Sequence, residues 1–446
     1  MTTNYEEFLK LGLIKVNQKN FIDSKKIFLD LIKLDKKRYE GYLNLSNILV
    51  LENKQNEAIE LLQSYLNTIK KHPEIINGLA IQLFNYNKFE QLILHVDCYI
   101  KKFDNYLLNY LKGYCLSKDG SSSKSEIFLK NAIKLNRNFW PAYELMFNIY
   151  DLRSKIDAMG SLINKSKKYF TNNFKFQYFE ALYNYRTSDF KNSLDILNNE
   201  KTKSIIGQNE NKQFLVDYYN LLSKNYGKIL NYKLCLYFAL ERNKILINLD
   251  QNKAFDKNDL LQTINTYTKF FNVKSRSFSG NDFKGLEHTN LTFLVGFPRS
   301  GTTLLDTILR THSKTQVIEE KPYLLDTRHE FFKKNNISNL LNLDEKNIIK
   351  LQEMYFQSFN YDSKKRIIDK FPLNLLELGF IKTVFPNSKI ILAIRHPLDC
   401  ILSCVLTAFK INEAMINFEN LKTTAFFYNS TFTLMIKYIE FFKINL

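Results

Sequence analysis

Glycine and proline are scarce: 13 Gly and 7 Pro in 446 residues. Both punctuate tight turns, so their scarcity argues against a turn-rich β architecture and favours long helices. Cysteine is also thin. Cys98, Cys115, Cys235, Cys400 and Cys404 form no CxxC pair. Cys400 and Cys404 share a helix face at i, i+4, but no neighbouring His or Cys completes a metal set. The five therefore read as small buried hydrophobes in a reducing compartment. No segment approaches the roughly 18 apolar residues that a membrane span requires. The opening "MTTNYEEFLKLGLIKVNQKN" lacks the uninterrupted apolar stretch of a signal peptide. A soluble cytoplasmic protein with no membrane span is the expectation. Basic runs of five or more are missing too. The formal charge of +18 then reads as lysine spread over every surface, with a local share left for an anion site and no nucleic-acid partner.

The chain is long enough for two or three domains, and 45% hydrophobic residues place it among globular rather than disordered chains. Its first half repeats. "NFIDSKKIF" (Asn20–Phe28), "KQNEAIELL" (Lys54–Leu62) and "KFEQLILHV" (Lys88–Val96) lie 34 residues apart. Gly12, Ser46 and Ala80 fall at one phase of this period; Ser24, Ala58 and Leu92 fall at another. Two helices and a short polar turn fit 34 residues, the tetratricopeptide spacing. Looser copies follow, with Gly113, Ser125 and Ala132 at equivalent positions. A single helix pair cannot bury its apolar face, so the copies must stack into an all-α solenoid. This solenoid is assigned to residues 1–243. Residues 244–288 read as a helical junction followed by an exposed connector.

The pattern changes after residue 288. "LTFLVGF" is a compact apolar run, "SKTQVIEE" reads as another strand, and "KKRIIDKFP" and "SKIILAIRHP" each contain a compact apolar run ending in charged residues, with helical segments between them. Residues 289–446 therefore read as an α/β domain with a parallel sheet, whose ligands lie beyond the carboxyl ends of the strands. The first run leads into "VGFPRSGTTLL". Gly296 and Gly301 stand at Walker A spacing, but Thr302 occupies the position of the lysine that would reach a triphosphate. Backbone amides and a helix N-terminus can still bind a phosphate here, with Arg299, Ser300, Thr302 and Thr303 as added donors. Asp369, ending "RIID", keeps a P-loop kinase or nucleotide hydrolase open as an alternative.

Three ordered motifs, "GFPRSGTTLLDTIL…VIEEKPYL", "IIDKFPLN" and "IILAIRHPLDCILSC", resemble the sulfotransferases. The likeness is greatest to the bacterial tetratricopeptide-repeat type, related in turn to tyrosylprotein sulfotransferases. This resemblance implies a P-loop-like domain using 3′-phosphoadenosine 5′-phosphosulfate and no metal. It implies that Arg299, Ser300, Gly301, Thr302 and Thr303 hold the 5′-phosphosulfate, and that Arg395 and Ser403 hold the 3′-phosphate. Glu320 is implied as the catalytic base, with Glu319 as its rival, and Lys370 as a contact to the transferring group. Asp306 and Asn374 recur in the pattern without an assigned chemistry. His312, His396 and Asp399 are read as structural. Members of the family extend further beyond the Ser403 position than the 43 residues present here, so the domain reads as C-terminally truncated.

The chemistry agrees with these roles. Sulfuryl transfer needs an in-line geometry, a general base for the acceptor hydroxyl or amine, and cations for the developing charge. A sulfuryl group carries less charge than a terminal phosphoryl group, so Arg299 and Lys370 can replace a metal clamp. The repeats are expected to bind a polypeptide acceptor or to mediate self-association. The alternative is a non-catalytic interaction protein with a relic domain.

Overall fold

The computed structural model describes residues 2–103, 105–199, 211–252, 254–271, 290–332 and 340–444. The chain forms two compact units, Met1–Thr202 and Lys203–Leu446.

The first unit is a tetratricopeptide-like solenoid of six helix pairs. They are α1 (Thr2–Asn17) with α2 (Phe21–Leu34), α3 (Tyr39–Leu51) with α4 (Gln55–Thr68), and α5 (Pro73–Asn85) with α6 (Phe89–Tyr99). The chain continues with α7 (Tyr106–Lys118) and α8 (Ser122–Leu135), α9 (Trp140–Leu152) and α10 (Ile156–Phe170), then α11 (Phe174–Arg186) and α12 (Phe190–Leu197). The turn inside each pair carries one left-handed residue: Lys19, Asn53, Asn87, Gly120, Ser154 and Ser188. Each closes a Schellman cap. In the second pair, for example, the Lys54 amide donates to the Leu49 carbonyl at 2.8 Å and the Asn53 amide to Val50 at 3.0 Å. Only one of the six positions is glycine, so the sequence carries many sharp turns despite its low glycine content. The repeat phases are packing positions. Ser24, Ser46, Ala58, Ala80 and Leu92 are fully buried, and a Cβ on Gly12 would stand 2.7 Å from the Phe28 ring.

Among the described residues of the second unit come first a seventh pair, α13 (Lys212–Lys228) and α14 (Tyr232–Ile247), and then α15 (Lys257–Phe270). The connector expected after it falls at residues 272–289, outside the described residues. Then β1 (Leu291–Gly296), β2 (Thr315–Glu319), β3 (Arg366–Lys370) and β4 (Lys389–Ala393) form a sheet in the order β2-β3-β1-β4. Every pairing is parallel. Helices α16 (Thr302–Arg310), α17 (Tyr323–Phe332), α18 (Glu345–Gln357), α19 (Leu378–Val384), α20 (Pro397–Leu406) and α21 (Leu421–Phe442) complete the unit. Parallel strands need such crossovers and covered faces. β1, in the interior of the sheet, is buried along its whole length. Among the described residues, no helix is long and apolar enough to cross a membrane.

On one sheet face Phe293, Tyr355 and Phe385 join a large aromatic core. Asp369 is buried there, and its Oδ2 accepts a 2.7 Å hydrogen bond from the Tyr355 hydroxyl. Burial pushes its carboxyl up to about 7, against the lowering effect of that hydrogen bond. A folded-state value above the unfolded one means that the native state holds the proton more tightly. The resulting stability is present in acid and is lost as pH rises through about 4 to 7. Asp369→Asn, which keeps an acceptor for Tyr355, should therefore raise the midpoint of urea unfolding at pH 8 by more than at pH 5. An equal gain at both pH values would count against this account.

Candidate functional site

The strand register brings the polar residues to one end of the sheet. Lys370 lies beside Leu294 on one side and Glu319 on the other, while Gly296 lies beside Ala393. Beyond these positions the chain leaves β1 as the loop Phe297–Gly301, leaves β2 as Glu320, and leaves β4 towards Arg395.

The loop requires glycine at two points. A Cβ on Gly296 would stand 2.6 Å from Ser300 Oγ and 2.8 Å from the Ala393 carbonyl oxygen. Gly301 has a φ of 100°, in the left-handed region, and is the N-cap of α16. Arg299 adopts φ 71° without being glycine. Such strain persists only where neighbours over-determine the backbone, and it concentrates at functional sites. The Ser300 amide closes the turn onto the Phe297 carbonyl at 3.0 Å. Ser300 is buried, and among the described residues its Oγ has no hydrogen-bond partner. Thr302 is buried and Thr303 exposed. Leu304 and Leu305 already donate to the Gly301 carbonyl, but the Thr302 and Thr303 amides at the start of α16 have no intrahelical acceptor, so the loop offers backbone and hydroxyl donors together.

Arg299 extends across the site, and its Nε donates to Ser403 Oγ on α20 at 3.0 Å. These two residues are thus in direct contact. Arg395 lies at the entrance to α20, half-exposed, with its Nε 3.5 Å from Asp399 Oδ2.

The second cluster surrounds Lys370, whose side chain is fully buried. Its Nζ donates to Glu320 Oε1 at 2.7 Å and lies 3.5 Å from Glu319 Oε1 and 3.6 Å from Asp306 Oδ2. Arg310 binds both oxygens of the buried Asp306 and also reaches Glu319 Oε2 at 2.9 Å. Three carboxylates thus share two cations. The Arg310 hydrogen bond, helped by Lys370, holds the Glu319 carboxyl below the ordinary range. Glu320 has a left-handed φ of 47°, and its amide is fixed by the Lys370 carbonyl at 2.8 Å.

Asp306 and Arg310 had no chemistry assigned from sequence. Their i, i+4 spacing in "DTILR" is that of a helical ion pair, which was a legible signal. That the same carboxylate reaches Lys370 on β3 was not legible. Asn374, in the turn Pro372–Glu377, is buried with its Nδ2 unpartnered among the described residues. Asp369 alternates with Lys370 along β3 and so faces the opposite side of the sheet.

Residues 292–443 match the model of the sulfotransferase family. A protein of Aquifex aeolicus (strain VF5), itself uncharacterised, is 31% identical over an alignment of 137 residues that covers 28% of this chain and 18% of that protein. The matched segment thus spans less than a fifth of that relative. Solved structures similar to the chain include a tetratricopeptide-repeat protein from Parabacteroides merdae ATCC 43184, at 12% identity and a TM-score of 0.42 over 56% of this chain and 97% of that one. Another is a thermophilic tetratricopeptide-repeat protein in Thermus thermophilus, at 14% identity and a TM-score of 0.31 over 41% and 98%.

Proposed function

We propose that the unit carrying this sulfotransferase-family match moves a sulfuryl group from 3′-phosphoadenosine 5′-phosphosulfate to a hydroxyl or amine acceptor. The observation that carries the reading is the loop itself. A buried Ser300 hydroxyl unpartnered among the described residues, free helix-start amides and the strained Arg299 converge at the carboxyl end of a central strand. A buried donor without an acceptor costs about 1–3 kcal/mol, and an anion seated in the loop would remove that cost. Arg299, Ser300, Gly301, Thr302 and Thr303 then bind the phosphosulfate, and Arg395 with Ser403 binds the 3′-phosphate.

In the transfer, the acceptor oxygen or nitrogen forms a bond to sulfur while the bridging S–O bond breaks. The acceptor proton passes to Glu320, and adenosine 3′,5′-bisphosphate leaves. Arg299 and Lys370 counter the charge that develops on the leaving oxygen and the sulfuryl oxygens. Glu320 is favoured over Glu319 as base because Glu319 is held by Arg310 and has a lowered affinity for a proton. Asp306 keeps Lys370 and Arg310 in register. The Met1–Thr202 solenoid supplies the surface for a polypeptide acceptor or for self-association, and the protein works in the cytoplasm.

Adenosine 3′,5′-bisphosphate at about 100 times its dissociation constant should stabilise the protein by about 2.7 kcal/mol. This would appear as a rise of several degrees in the unfolding temperature of the second unit. Arg395→Ala should remove most of the rise. No shift at millimolar nucleotide, or a larger shift with Mg-ATP, would overturn the reading.

A further inference from the structure

We propose that Arg242 and Asn243, on the second helix of the seventh pair, are positioning residues for the anion loop. This makes that pair a working part of the donor site; the proposal rests on the donor-site reading above. Arg242 is fully buried, and among the described residues no carboxylate accepts a hydrogen bond from it. Its Nε and Nη2 donate to Asn243 Oδ1 at 3.0 and 2.8 Å, and Nη1 donates to Asn220 Oδ1 at 2.9 Å. It also donates to the Val405 carbonyl at 2.8 Å and the Leu406 carbonyl at 3.1 Å. These are the last carbonyls of α20, which have no intrahelical partner and carry the negative end of the helix dipole. Burial lowers the guanidinium only to about 10, so it remains charged at neutral pH.

Asn243 extends the clamp. Its Nδ2 donates to Val405 at 3.0 Å, to Phe418 at 3.2 Å and to Glu419 at 3.1 Å, all at carbonyl oxygens. The two side chains therefore fix both α20 and the 3₁₀ turn Met415–Phe418. Each of these elements touches the loop. On α20, Ser403 accepts from Arg299, and the Cys404 thiol points at the Pro298 carbonyl at 3.5 Å. On the turn, the Phe418 ring packs 5.9 Å from the Phe297 ring, centroid to centroid. Consecutive loop residues 297, 298 and 299 thus lean on elements held by one Arg–Asn pair. The left-handed backbone at Arg299 needs such support to persist. A loop already set in its binding shape loses less entropy when an anion arrives.

Hydrogen exchange of the ligand-free 446-residue chain tests this. Arg242→Lys keeps charge and stem but loses the planar fork, so one tip cannot serve Asn220, Asn243 and both carbonyls. Loop and α20 amides, residues 299–305 and 401–407, should exchange about tenfold faster, while β3 amides stay as protected as in the parent. The dissociation constant of adenosine 3′,5′-bisphosphate should rise about tenfold. Asn220→Ala, which removes one half-buried acceptor, should show the same pattern more weakly and guards against misfolding of the first variant. Unchanged loop exchange in a folded variant would overturn the proposal. So would an equal rise in loop and β3, since that is the signature of a purely structural residue. If the parent chain binds no nucleotide, the donor reading fails, and the exchange arm still decides whether the pair sets the loop.

Discussion

Replacing Lys370 with methionine should cut sulfate transfer by about 10²–10³-fold, the cost typical of removing one donor aimed at developing charge. Stability should fall as well. The ammonium is fully buried and shares the end of the sheet with Glu320, Glu319 and Asp306. Without it, Asp306 and Glu319 still have Arg310, while Glu320 has no cation partner among the described residues. Breaking a buried ion pair costs about 3–5 kcal/mol, but Glu319 and Glu320 are half-exposed and can turn to water, so a loss of about 1–3 kcal/mol is expected. Lys370→Arg should recover the stability better than the rate, because its charge is spread over a fork that does not fit the place of a point donor. Urea unfolding and transfer to a panel of phenols, alcohols, amines and tyrosine peptides would read both quantities. Transfer within about threefold of the parent would remove Lys370 from the chemistry.

The second large effect is expected at Glu320. Glu320→Gln should slow transfer by about 10²–10⁴-fold, the usual contribution of a general base. Binding of adenosine 3′,5′-bisphosphate should stay within a few-fold of the parent, because the loop residues that take the phosphates are untouched. The split between a collapsed rate and a preserved affinity separates a base from a structural residue. Glu319→Gln should lose less, under about tenfold, since Glu319 spends its charge on Arg310. A larger loss at Glu319 than at Glu320 would reverse the assignment.

Much of the fold is legible in the sequence. The 34-residue period marked the helix pairs, because stacked pairs reuse the same close contacts at Gly12, Ser24, Ser46 and Ala58. The four β runs were visible because strands of a covered parallel sheet are apolar almost throughout. Low glycine, however, was a poor guide to turns. Lys19, Asn53 and Ser154 adopt left-handed backbone in caps where glycine is commoner.

Local pattern thus determined the repeating solenoid, the parallel sheet and the anion loop after its first strand. Each leaves a local signal: a repeat period, apolar runs of strand length, or a glycine turn leading into a helix. Tertiary structure alone decided that Lys370 is shared by carboxylates from α16 and β2, that Arg299 meets Ser403, and that Arg242 closes the end of α20. Those contacts join residues 50, 104 and 163 positions apart. Periodicity cannot encode such pairings. They arise when the sheet order and the packing of the covering helices bring distant strand and helix ends into one buried space, where every charge must find a partner.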